Sequence, residues 1–212
     1  MTSSLVAQFH SILSSLGLIL LVSFLFATAV LLLHWGKGIP IGYLTRDPAL
    51  VVNIPIYIGS FSIIGILLWF SAAALCLFSA PLVSHPKDHS LQQFLLVSGL
   101  FTLLLVFDDL FLLHEEVFPK YVGIPERVVE GSYGILMLLY LLKFRVVIFK
   151  TEFLLFGLAL GLFGFSLGLD VLPQNIYFRH LLEDGSKFAG IVTWLVYFAR
   201  VSYSGIKNST KN

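Results

Sequence analysis

Two adjacent aspartates, Asp108 and Asp109, stand inside the apolar run LLLVFDDLFLLHEE, which extends from Leu103 to Glu116 and ends on His114, Glu115 and Glu116. A carboxylate placed at the centre of a membrane helix costs about 2.5–3.5 kcal/mol on insertion scales. A chain that keeps two in succession therefore needs partners for them. A second polar set follows near the C-terminus, where His180, Glu183, Asp184 and Lys187 occupy positions i, i+3, i+4 and i+7. On a helix these four share one stripe.

Other ionisable residues belong to the same layer. Asp108 and Glu115 are seven apart, as are Asp109 and Glu116, so a continuous helix would carry four acids on one broad face. His114 would lie about a third of a turn away from Asp108. Glu130 follows Glu126 by one turn, with Tyr133 and Met137 continuing its face, and Asp170 has Ser166 one turn before it. Asp108, Asp109, Glu130, Asp170, Glu183 and Asp184 cannot all stay ionised at short range with Lys187 as the only embedded cation. Either several are protonated or a bound cation neutralises them.

These residue types suit a divalent metal. Imidazoles from His114 and His180, with carboxylates from Asp108, Asp109, Asp170, Glu183 and Asp184, form a ligand set for zinc, iron or manganese. Bundle di-metal sites also combine carboxylates and histidines from facing helices at i, i+3 spacing. Glu130 is the candidate general acid or base. Lys187 is the second catalytic candidate, paired with an aspartate.

The elements that must position this chemistry are membrane helices. Of 212 residues, 58% are hydrophobic and only 12% charged, and the mean hydropathy is +0.93. Soluble domains carry about 25% charge. The composition predicts an all-α, polytopic integral membrane protein, a single domain over residues 1–212 with about six spans. Given that about 20 helical residues cross the hydrocarbon core, the apolar segments are 11–34, 57–80, 91–114, 126–149, 152–172 and 178–203. A net charge of +1 argues against nucleic acid as a partner. Cys76 is the only cysteine, so an intrachain disulfide is excluded.

The connections follow from glycine, proline and charge. The stretch 35–56 is rich in both Gly and Pro and is expected to be an interfacial loop. In Ser84–Ser90, His85 and His89 are four apart, but Pro86 between them favours a solvated turn. Pro119 and Pro125 bracket the next loop, and Pro173 closes the fifth segment. Gly157, Gly161, Gly164 and Gly168 give small-xxx-small spacings that predict a close helix approach.

Alternating spans bring the third and fourth, and the fifth and sixth, segments together at one membrane face. Nine of the twelve acids then fall in that layer. Lys and Arg are slightly more frequent on the other face, which places both termini in the cytoplasm by the positive-inside rule. The expected function is a metal-dependent membrane enzyme acting on a lipid or lipophilic small molecule. A cation or proton transporter and a structural subunit of a membrane complex are the alternatives.

Overall fold

A computed structural model describes residues 2–83, 89–170 and 178–209. The described residues form helices and no strand, and they divide into two compact units, Met1–Ser60 and Phe61–Asn212. The turn containing His85 and the segment containing Pro173 lie outside the described residues.

The first unit opens with α1 (Thr2–Lys37), whose stretch Ser15–Lys37 is long and apolar enough to cross a membrane. The ring Nδ1 of His34 makes a 2.8 Å hydrogen bond to the carbonyl of Ile39, just beyond the helix end. Two one-turn helices follow, α2 (Ile41–Thr45) and α3 (Pro48–Val52). Asp47 caps α3 by accepting from the Ala49 N–H at 2.8 Å, and Pro48 sits at the first helical position, where its missing N–H costs nothing. The expected loop is thus partly helical, because the prolines fall where helices begin.

The second unit comprises α4 (Ser60–Ser79), α5 (His89–Phe111), α6 (Glu126–Lys150), α7 (Phe153–Asp170) and α8 (Arg179–Ser209). With α1, helices α4 to α7 make five that are long and apolar enough to span a membrane. The sixth predicted span, 178–203, is helical within α8 but is not among them. Its charged first turns and the polar Thr193, Arg200, Ser202 and Ser204 dilute its apolar character.

The core is aromatic: Phe94, Tyr140, Phe144, Phe156, Trp194, Tyr197 and Phe198 are buried and in ring contact across α5, α6, α7 and α8. Several hydroxyl and indole groups within it are paired. Ser98 bonds Tyr140 at 2.7 Å, Ser79 bonds Ser202 at 2.9 Å, and the Trp194 indole N–H donates to Thr102 at 3.0 Å. Buried polar groups in a membrane bundle must find such partners, at a typical gain of about 0.6 kcal/mol per interhelical bond.

The glycine seam expected on α7 is not a packing seam. A methyl group at Gly157, Gly161, Gly164 or Gly168 would meet no atom of the described residues within 4 Å. Instead α7 meets α8 through larger side chains: Phe156 packs at a tilt against the Trp194 and Tyr197 rings, and Ser166 donates to the Glu183 carbonyl at 2.9 Å. Close approach occurs at Gly99, where an added methyl would lie 2.7 Å from the Leu77 side chain and 3.1 Å from that of Cys76. Gly99→Ala is therefore expected to destabilise the bundle by about 1–3 kcal/mol, whereas Gly157→Ala is neutral or slightly stabilising. Thermal melts of the two variants in one detergent compare them.

Candidate metal and amphiphile site

The third predicted helix does not run on to residue 114. α5 stops at Phe111, and Leu112 adopts the left-handed conformation, with φ of 51°. That conformation is costly for a non-glycine residue. A π-helical segment, Leu113–Val122, follows and ends at Gly123, whose φ is 78°. Such wide turns occur preferentially at functional sites.

The reversal at Leu112 changes the geometry of the acids. On a straight helix His114 would face away from Asp108. Here its backbone N–H donates to Asp108 Oδ1 at 3.1 Å, and its Nδ1 is hydrogen-bonded to Asp108 Oδ2. Tyr133 of α6 donates a third bond to Asp108 Oδ1 at 2.7 Å. A buried carboxylate is tolerable when its lone pairs are filled in this way. The same contacts leave Nε2 as the His114 ring atom open to a ligand, the arrangement by which carboxylates orient metal-binding histidines.

Opposite that ring stand two glutamates from the first turns of α6. One ligand atom from each of His114, Glu126 and Glu130 lies within 4.8 Å of the others. Glu115 Oε1 is 3.6 Å from His114 Nε2. This group sits at the polar end of a chamber of about 540 Å³, lined by α4 to α8 and the π-helical segment. Asp108, Asp109, Glu115, Asp170, Glu183 and Lys187 complete the polar end. Trp69, Phe101, Leu105, Met137, Leu141, Leu160, Phe163 and Trp194 form the apolar walls. Small-molecule sites run to about 300–1,000 Å³ with mostly apolar linings and a few convergent polar groups.

Two further charge arrangements frame the chamber. Lys187 donates to Asp109 Oδ1 at 2.6 Å and lies 6.0 Å from the Trp69 ring centre. Arg179 is buried, at 4% exposure, and donates to the Asp170 carboxylate at 2.8 Å and its carbonyl at 2.7 Å. Its Nε is 3.5 Å from Glu183. Lys187 is therefore not the only embedded cation.

The register of α8 explains which predicted residues the chamber receives. The inward stripe runs Arg179, Glu183, Ser186, Lys187 and Gly190, the first, third and fifth of these being buried. His180 is one position further on, about 100° round the helix, and its side chain is 76% exposed. Asp184 is exposed as well, and neither residue lines the chamber. Thus Asp108, Asp109, His114, Glu130, Asp170, Glu183 and Lys187 come together, while His180 and Asp184 do not. Glu126, Tyr133, Arg179 and Trp69 join them. The i, i+4 pair Glu126/Glu130 directly after Pro125 was the sequence signal for the first; the i, i+4 pair Arg179/Glu183 was the signal for the third. Among the described residues, His89, from the other predicted histidine pair, bonds Gln92 and Gln93 of its own helix.

The hydrogen bond to Asp108, followed by the nearby charges of Asp108, Glu115 and Glu130, holds the His114 pKa above its ordinary value against the opposing effect of burial. A raised histidine pKa stabilises the fold fully below about pH 6.5, and that contribution is lost as pH rises through the raised value. A metal needs the neutral ring. Zinc affinity is accordingly expected to climb as pH rises above 6.5, with the climb displaced above that of an ordinary histidine. Zinc titrations across this range, with Asp108→Asn as the comparison, check the displacement.

The fold and site together define a multi-helix membrane protein with an amphiphilic chamber that carries a His/Glu/Glu group in its lining. The chain belongs to a family described as a domain of unknown function (DUF8692), which matches residues 16–201. No curated protein and no solved structure matches it.

Proposed function

We propose that this protein is a metal-dependent membrane enzyme acting on a lipid or lipophilic small molecule. The observation that carries the reading is the grouping of His114, Glu126 and Glu130 at the polar end of an otherwise apolar chamber. One imidazole and two carboxylates from the protein suit zinc or manganese for hydrolysis and iron for oxygen chemistry. A metal in such a site supplies an activated water or oxygen and polarises the bond under attack.

The chain's own groups have assigned roles. Asp108 and Tyr133 fix the His114 ring. Glu130, the general acid or base expected from sequence, becomes a ligand beside Glu126, and Glu115, next to Nε2, takes the role of proton acceptor. Lys187, held by Asp109, provides positive charge for developing negative charge on the substrate. Asp170 and Glu183 serve the α7–α8 junction through Arg179 rather than the metal.

The alternative of a cation path gains no support, since nine of the twelve acids fall in one layer and hydroxyls of the other half bond one another. Both termini are placed on the cytoplasmic side, which requires α8 to cross the membrane. Reporter fusions after residue 37 and at the C-terminus read this arrangement. Incubation of metal-loaded protein with a membrane lipid extract tests the enzyme reading. New products that vanish with EDTA and with Glu115→Gln are expected; an unchanged lipid profile with every metal would overturn it.

A further inference from the structure

The chamber restricts what can enter it, and this inference rests on the reading above that the chamber is a substrate site. Its polar end holds more acid than its cations cover. Asp108 is engaged by His114, Asp109 by Lys187, and Asp170 with Glu183 by Arg179. Glu126 and Glu130 have no ion-pair partner among the described residues, and one divalent ion between them would only balance their two charges. A phosphate or carboxylate head would meet no net positive field there, whereas an ammonium group would be attracted.

A second observation lies on the wall. Trp69 is only 7% exposed, lines the chamber, and its indole N–H has no hydrogen-bond partner. Buried donors are nearly always satisfied, so an orphan of this kind calls for an acceptor brought by a ligand. Trp69 also lies beneath Lys187, close to the border between polar and apolar surface. The apolar remainder, including Phe101, Met137, Leu141 and Phe163, accommodates a hydrocarbon chain. Gly134 and Gly164 leave open space on two facing helices, so the chain meets no side chain there.

We propose that the chamber takes a single-chain amphiphile with an amine head and an oxygen acceptor beside it, and rejects phosphate- and carboxylate-headed chains. The amine rests against the acidic rim, the oxygen accepts from Trp69, and the chain fills the apolar end.

Binding of four probes with equal chains tests this: dodecylamine, 2-aminododecan-1-ol, dodecanoic acid and dodecyl phosphate. Each is titrated into the full chain in a neutral detergent, with shifts in melting temperature as the readout. EDTA-treated and zinc-loaded protein are run in parallel. The two amines are expected to bind at least tenfold more tightly than the two anions in the EDTA-treated protein, and zinc loading, which neutralises Glu126 and Glu130, is expected to narrow that gap. The amino alcohol should exceed dodecylamine in wild type but not in Trp69→Phe. Gly164→Phe, with helicity checked by circular dichroism, should abolish binding of all four. Equal affinity for dodecyl phosphate and dodecylamine, or an unchanged head-group preference in Glu126→Gln/Glu130→Gln, overturns the proposal. Amine preference without any metal uptake would sink the metal reading alone; metal uptake without amine preference would sink this inference alone.

Discussion

His114→Ala is expected to lower zinc affinity by more than about 100-fold, while His180→Ala leaves it unchanged. The contrast follows from geometry. One ring nitrogen of His114 lies within 4.8 Å of carboxylate oxygens of Glu126 and Glu130, and Asp108 engages its Nδ1; His180 is exposed outside the chamber. Losing an outer carboxylate that orients a histidine costs about 10- to 100-fold in metal affinity, so loss of the ligand itself exceeds that range. Asp108→Asn should fall inside it, and Tyr133→Phe should cost less than Asp108→Asn. Competition titration against a chromophoric chelator measures all four. Equal losses for His114→Ala and His180→Ala would mean that the ligand set is drawn wrongly.

Arg179→Leu carries the largest expected effect on stability. The guanidinium is almost wholly buried and neutralises Asp170 and Glu183 across the end of α7 and the start of α8. Removing one partner of a buried ion pair costs about 3–5 kcal/mol, because the other charge is left uncompensated. Asp170 is half exposed and retains some solvation, which places the expected loss near the lower bound, at about 3 kcal/mol. Replacing the acids as well, in Arg179→Leu/Asp170→Asn/Glu183→Gln, should recover most of it. Thermal or denaturant unfolding of the single and triple variants, compared in one detergent, measures the coupling. A single variant as stable as wild type would show that Arg179 does not hold the α7–α8 end.

The parts legible from sequence are those set by hydrocarbon. Apolar run length located α4 to α7 within a few residues, and alternation of spans brought Asp109, Glu130, Asp170 and Lys187 to one chamber. What sequence periodicity missed are departures from a straight helix. Nothing in FLLHEE marks Leu112 as left-handed, yet that one residue brings His114, about a third of a turn away on a straight helix, onto Asp108. On α8 the i, i+3, i+4, i+7 stripe beginning at His180 and the one beginning at Arg179 overlap at Glu183 and Lys187. Only packing against α7, through Ser166 and Asp170, decides between them. The α7 glycines had the spacing of a packing seam, but spacing carries no information about whether a neighbour stands opposite. Glu126 looked like a solvated first-turn acid that favours a helix N-terminus, a role compatible with facing His114.

The proposed function requires a metal held by His114, Glu126 and Glu130, and metal content tests that most directly. Protein purified without chelators, equilibrated in turn with zinc, manganese and ferrous iron, and desalted is assayed by inductively coupled plasma mass spectrometry. About one equivalent of one metal is predicted, retained in His180→Ala and lost in both His114→Ala and Glu126→Gln/Glu130→Gln. Wild-type protein that retains none of the three metals, or retains the same amount after those substitutions, would contradict the account.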